Sequence, residues 1–287
     1  MATDSHPILI TGASGFLGRA LVERLLTMQQ RIVCLGRNRS EIIVEWLNAH
    51  PTQLEWIETP DGYVPAGALD RRTFRSVVHL ASFVPSSGGE NRWENVRQIQ
   101  RGMVDTTISL LEAVAGKTAH LVLASSVAVY GRGYSGLLDE RTLPEPTDPY
   151  GLFKLASEGI CRLFAQQEAI PCALLRPTQL YGSGEPHGIF LQKFFIPAAL
   201  NGQPIRLVKG GREVKDLLWI DDAAEVFLAV IQQRAEGVFN VSSGRGVTVR
   251  KLAEIVRDLT GNQSPIEVSD DGSGVANQVF SNEKVLH

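Results

Sequence analysis

Residues 11–18, Thr-Gly-Ala-Ser-Gly-Phe-Leu-Gly, constrain this chain more than any other stretch. They follow the apolar run Ile8, Leu9, Ile10 and lead into Arg19-Ala20-Leu21-Val22-Glu23-Arg24-Leu25-Leu26, whose apolar residues recur at helical spacing. A strand, a glycine turn and an amphipathic helix in succession give a Gly-x-x-Gly-x-x-Gly spacing its meaning. Gly12 suits the tight turn off the strand, Gly15 lets a pyrophosphate approach the backbone, and Gly18 lets the helix pack close to the sheet. Free amides and the dipole at such a helix N-terminus face phosphates favourably. The turn therefore predicts a dinucleotide site.

Further strand-like runs alternate with helical patterns, which predicts a parallel sheet wrapped by helices. The runs are 31–35, 54–57, 77–81, 120–126 and 172–176, with Pro177 ending the last of them. Long helices are expected over 94–114 and 149–167. Beyond Pro177 a loop at 182–188 precedes an apolar helix through Phe190, Phe194, Phe195 and Ile196. Asp221 or Asp222 is placed to cap the next helix, and a strand at 238–241 and a helix over 249–259 follow. The predicted fold is α/β, a Rossmann-type doubly wound parallel sheet with a smaller interleaved C-terminal lobe. Residues 1–176 would form the nucleotide-binding domain and 177–287 the substrate lobe, with some segments returning to the sheet. Ligands in such sheets lie beyond the carboxyl ends of the strands, so chemistry is sought there.

Bulk properties narrow the partners. A chain of 287 residues, 44% hydrophobic and 21% charged, has the composition of an ordinary globular protein. A net charge of −3 offers no basic field for nucleic acid or an anionic membrane surface. No run approaches the ~20 apolar residues of a membrane span, and residues 1–7 do not read as a signal peptide. Cys34, Cys161 and Cys172 are odd in number and share no metal-ligand spacing. They read as buried free thiols in a reducing cytoplasm, with no metal.

The reactive candidates stand at one strand end and on the following helix. Residues 124–131 read Ala-Ser-Ser-Val-Ala-Val-Tyr-Gly, and 150–154 read Tyr-Gly-Leu-Phe-Lys. Four residues apart on a helix, Tyr150 and Lys154 share a face. A free tyrosine titrates near ~10, and a nearby ammonium is expected to lower that value towards use as a base.

On these motifs the chain resembles the extended short-chain dehydrogenase/reductase family, in its NAD-dependent epimerase/dehydratase group. The resemblance runs through TGASGFLG at 11–18, VVHLAS at 77–82, SSVAVYG at 125–131, LDERTLPEPTDPYGLFK at 138–154, LLRPTQLYGSG at 174–184, VKDLLWIDDAA at 214–224 and FNVSSGRGVTVRKLAEIV at 239–256. It implies Ser126 as the catalytic serine, Tyr150 as acid/base, and Lys154 as its partner and ribose ligand. It implies cofactor contacts from Gly12, Ser14, Gly15, Phe16, Leu17, Gly18, Leu80, Ala81 and Ser82, with Pro177 and Gln179 near the nicotinamide. Ser126, Gln179 and Lys193 are the implied substrate contacts; Glu185 and His187 lie in the same region. A homodimer is also implied.

Five departures shape the expectation. Gln179 and Lys215 stand where nucleotide-sugar enzymes of the group often carry asparagine and arginine. Met103 stands where an asparagine often supports the tyrosine, and Asn95 lies eight residues earlier. Related sequences usually continue past the residues after Phe280, which suggests a pared-down lobe or a small substrate. Strand two leads into Arg37-Asn38-Arg39 without the acid that holds an NAD ribose, so Arg37 and Arg39 favour NADP over NAD. The expected function is NAD(P)-dependent hydride transfer at a carbinol or carbonyl carbon of a nucleotide sugar, by an epimerase or 4-ketoreductase. Val127 and Ala128, where 4,6-dehydratases of the group often carry Asp-Glu, argue against dehydration. The alternatives are an NADPH-dependent reductase of a small non-nucleotide carbonyl compound and a catalytically silent NAD(P)-binding regulator.

Overall fold

Ile8 and Ile10 pack into the core on one face of the first strand and Leu9 into the core on the other. A strand buried on both faces needs helices above and below it. The computed structural model, which describes residues 6–83, 95–185, 191–261, 263–275 and 277–286, supplies them. Seven parallel strands form the sheet: β1 (Ile8–Thr11), β2 (Ile32–Gly36), β3 (Leu54–Glu58), β4 (Ser76–His79), β5 (Leu121–Ala124), β6 (Cys172–Pro177) and β7 (Gly237–Val241). Their order is β7-β6-β5-β4-β1-β2-β3. Chain order reverses between β1 and β4, and the carboxyl ends there open the crevice that such sheets use for ligands.

Helices α1 (Phe16–Thr27) and α2 (Glu41–Ala49) cover one face through Leu21, Leu25 and Trp46. The other face is covered by α3, which runs as Val96–Gln100, widens into a π-turn at Arg101–Asp105 and resumes as Thr106–Val114. Beside it lies α4 (Pro149–Glu168), packed through Cys161 and Ala165. The three cysteines are buried and free.

After β6 the chain builds a small lobe. Helix α5 runs from a π-turn at Leu191–Phe195 into Ile196–Leu200 and packs with Ile205, Leu207 and Ala253. Phe195 is in that core, whereas Phe194 is exposed. Helix α6 (Ile220–Gln233) returns to the large sheet against α1, and α7 (Val249–Leu259) closes the lobe. Asp216, on the strand Val214–Trp219, ties the lobe together. Its buried carboxylate accepts from the Ser243 amide (3.0 Å), the Ser243 hydroxyl (2.7 Å) and the Phe280 amide (3.1 Å).

Several elements differ from the sequence reading. Strand β4 stops at His79, so Leu80 and Ala81 leave the sheet, and β5 stops at Ala124, so Ser125 and Ser126 lie beyond it. Helix α2 had no counterpart in that reading. The helix over 94–114 is not uniform, because the π-turn contains Met103. Neither aspartate caps α6: Trp219 is its N-cap, and both acids lie in the first turn. There Asp221 pairs with Arg24 of α1 at 3.1 Å and faces the positive end of the helix dipole.

Two glycines of the 11–18 turn are sterically required. Gly12 has φ +75°, and a Cβ there would lie 2.6 Å from the Ala81 amide nitrogen. At Gly18 a Cβ would stand 2.1 Å from the Gly12 carbonyl oxygen. The close contact is thus with the glycine turn itself, not with the sheet as expected. Gly18→Ala is expected to destabilise the protein by about 2 kcal/mol, as overpacking of rigid backbone does, measured by denaturant unfolding.

Candidate active site

The glycine turn forms one wall of a cavity of about 280 Å³. Gly12, Ser14 and Gly15 line it, with Arg37 after β2 and Leu80, Ala81 and Ser82 after β4. The N-cap of α1 is Gly15, without a side-chain cap and without an acidic residue in the first turn, which leaves the helix end open to an anion. A Cβ on Gly15 would have one neighbour within 4 Å, the Gly12 carbonyl, so bare backbone faces the cavity. These features fit a dinucleotide. The side chains of Phe16 and Leu17 point elsewhere, packing with Ala20 and Ile220. Asp61 lines the cavity beside Arg37, while Arg39 is engaged by Glu58 at 3.3 Å.

A directed chain of hydrogen bonds holds this wall. Thr107 donates its hydroxyl proton to the Met103 carbonyl (2.5 Å), so it accepts from His79 Nε2 (2.9 Å). His79 Nδ1 then accepts from the Thr11 hydroxyl (2.6 Å), which in turn accepts from the Ala81 amide (3.1 Å). The chain links the end of β1, the cavity shelf and the π-turn of α3. Burial, reinforced by the Lys154 charge, pushes the His79 pKa down to about 3, so the ring is neutral.

A second cleft, of about 750 Å³, opens between the sheet and the small lobe. Ser126, Thr178 and Gln179 line its floor, and Arg132, Lys209 and Lys215 bring positive charge. The Lys215 ammonium pairs with Glu213 at 2.6 Å. Lys193 is exposed on α5, with its ammonium 5.6 Å from the Phe194 ring, and Glu185 lies in the loop before it. His187 and Phe190 fall outside the described residues.

Tyr150 stands at the junction of the two cavities. Ser82, in the wall of the first, and Ser126, in the floor of the second, both lie close enough to its hydroxyl to favour its ionisation. The Lys154 ammonium lies 5.8 Å from the Tyr150 ring centroid and donates to the Ala124 carbonyl at 2.7 Å. Burial lowers its pKa to about 8, against the opposing pull of the Glu158 charge. Tyr150 differs from expectation. Burial holds the phenol above its ordinary range, and the nearby Ser126 and Ser82 hydroxyls offset only part of that. The Lys154 charge is not among the influences on the phenol, so the expected depression is not realised.

A model of the NAD-dependent epimerase/dehydratase family matches residues 8–242. The chain belongs to that family. Among its relatives, the dTDP-L-rhamnose 4-epimerase of Burkholderia thailandensis is 26% identical over 91% of this chain and 83% of its own length. The dTDP-4-dehydro-6-deoxyglucose reductase of Escherichia coli is 25% identical over 95% and 89%. The structure of MoeE5 in complex with UDP-glucose and NAD superposes with a TM-score of 0.81 at 26% identity, covering 97% of this chain and 90% of that one. As an epimerase/dehydratase-family enzyme, the protein carries the Ser126, Tyr150 and Lys154 side chains together at one strand end.

Sequence reasoning passed over Glu158 and Arg176, which form a buried ion pair below Lys154 at 2.7 Å. Their signals were a third polar residue at the four-residue spacing of Tyr150 and Lys154, and an arginine inside an apolar strand.

His79 and His120 are both buried and neutral, the latter with its pKa pushed by burial down to about 4. Unfolded histidines bind protons below about pH 6.5 while these native ones do not. Stability should therefore fall as pH drops from about 6.5 towards 4, by up to about 1.4 kcal/mol per pH unit for each ring. His79→Gln should reduce that slope by one proton's worth, read from urea unfolding at a series of pH values.

Proposed function

We propose that this enzyme moves a hydride between a nicotinamide cofactor and a carbinol or carbonyl carbon of a nucleotide sugar, as an epimerase or 4-ketoreductase. One observation carries the reading: the Tyr150 hydroxyl lies beside Ser82 of the phosphate-adapted cavity and beside Ser126 of the cationic cleft. A proton-transfer group at that junction meets hydride donor and substrate at once. The nicotinamide, when bound, supplies the hydride acceptor or donor. Tyr150 takes the proton from a substrate hydroxyl during oxidation and returns it to a carbonyl oxygen during reduction. Ser126 orients that oxygen, and Lys154, one turn on along the same helix face, is read as the ligand of the cofactor ribose.

Arg132, Lys209 and Lys215 suit the diphosphate of a nucleotide sugar, and the dTDP- and UDP-sugars named for the relatives support that class. Lys215 would exchange its contact with Glu213 for phosphate. Gln179, at the cleft floor, is the substrate-facing amide of this reading. Exposed Ile108, Leu152 and Leu163 on α3 and α4 support a homodimer paired through those helices.

Tyr150→Phe should lower kcat by about 10²–10⁴-fold with cofactor affinity retained, measured by turnover of nucleotide sugars and by cofactor titration. Wild-type turnover in that variant would refute the acid/base role. Arg37, in the cavity wall, is read as the anchor for the 2′-phosphate of NADP. Arg37→Ala should lower NADP affinity about tenfold or more and leave NAD affinity unchanged. Tighter NAD than NADP binding by the wild type would remove the case for that preference.

A further inference from the structure

Helix α4 carries polar side chains at every fourth position, Tyr150, Lys154 and Glu158, and each engages a different residue of the β5 exit. The Tyr150 hydroxyl lies beside Ser126, Lys154 Nζ donates to the Ala124 carbonyl at 2.7 Å, and the Ser125 hydroxyl donates to Glu158 Oε1 at 2.5 Å. Three successive residues are thus met by three points along one helix stripe, two of them by hydrogen bonds. Glu158 is completely buried and is completed from the far side by Arg176 of β6. The guanidinium donates through Nε to Oε1 at 2.9 Å and through Nη2 to Oε2 at 2.7 Å. Arg176 also lies over the Tyr130 ring, 4.9 Å from its centroid, and immediately precedes Pro177.

Such a pair is not needed for stability as such. Removing two charges from water costs about as much as their attraction returns, and apolar residues of similar volume often serve as well. Its bearing is on Lys154, which is itself only 4% exposed. Burial drives a lysine to shed its proton, and little near Lys154 resists that. His79 faces it from β4 as a neutral ring. On α4, the Cys161 thiol is held well above its ordinary range and the Tyr150 phenol is also raised, so both are neutral. Among the described residues, Glu158 is the anion that acts on it.

We propose that Glu158 is a positioning residue for Tyr150 and Lys154. Clamped by Arg176, its carboxylate holds the β5 exit in register through Ser125 and supplies the counter-charge that keeps the Lys154 ammonium protonated one turn away. The inference rests on the hydride-transfer reading only for what Lys154 is used for, so its primary test needs neither cofactor nor substrate.

The test is a pH titration of the Lys154 13Cε resonance in the full chain, assigned by its loss in Lys154→Met. Glu158→Gln should lower the midpoint by about one pH unit. That variant also strands the Arg176 charge, so the deciding protein is Glu158→Gln combined with Arg176→Met, which removes both charges at similar volume. A midpoint still about one unit low supports the proposal, and the alkaline limb of kcat/KM should move with it. A midpoint restored to the wild-type value would overturn it, because the shift would then have come from the stranded arginine. Should the double variant not fold, Ser125→Ala cuts the rung and leaves both charges. It should lower kcat about tenfold with KM and the Lys154 midpoint unchanged; an unchanged kcat would sink the positioning role. Failure of the wider reading is separate, since it appears as turnover in Tyr150→Phe whatever Lys154 titrates to.

Discussion

The hydrogen bond from the Lys154 ammonium to the Ala124 carbonyl is the contact on which the site depends. A cation in the protein interior requires fixed acceptors, because water is not there to follow its movements. This one therefore fixes the depth at which α4 lies along the end of β5. With that depth set, Tyr150 reaches the two serines and Glu158 reaches Ser125 and Arg176. The strand needs no unusual conformation to present its end; it runs out of ladder at Ala124, and the next two residues turn their hydroxyls to the helix.

The opposite wall uses neutral groups for the same end. Thr11, His79, Thr107 and the Met103 carbonyl form a chain in which every proton has one direction. Charge in that chain would be penalised by the nearby Lys154, which reinforces burial in keeping His79 uncharged. One wall is thus held by ions and the other by dipoles, and Tyr150 works between them. The π-turn adjoins this arrangement through the Met103 carbonyl, which accepts from the Thr107 hydroxyl four residues on, an ordinary helical contact.

Much of this was legible in the residues. The alternation of apolar runs and helical patterns gave the doubly wound sheet, because period two and period 3.6 are properties of local sequence. The Tyr150–Lys154 face was legible for the same reason. Partners far apart along the chain were not. Nothing local in Glu158 says that Arg176 will neutralise it, and nothing in Asp216 says that Ser243 and Phe280 will converge on it. The direction of the Tyr150 shift also escaped, since it depends on burial that only the folded chain creates. Helix α2 is short, and the small strands of the second lobe are three residues each in most cases, too brief for periodicity to announce them.

The four-residue spacing of Tyr150, Lys154 and Glu158 has a geometric consequence. A helix turns once in 3.6 residues, so each step of four advances the stripe by about 40° and about 6 Å. The line of polar groups is therefore slanted, running from the partly open Tyr150 to the sealed Glu158. Changes of identity between the rungs act locally, on the contacts of the one side chain replaced. A change of number is another matter. One residue gained or lost between 150 and 158 would rotate everything beyond it by about 100°. Along this stretch the chain is rigid in length.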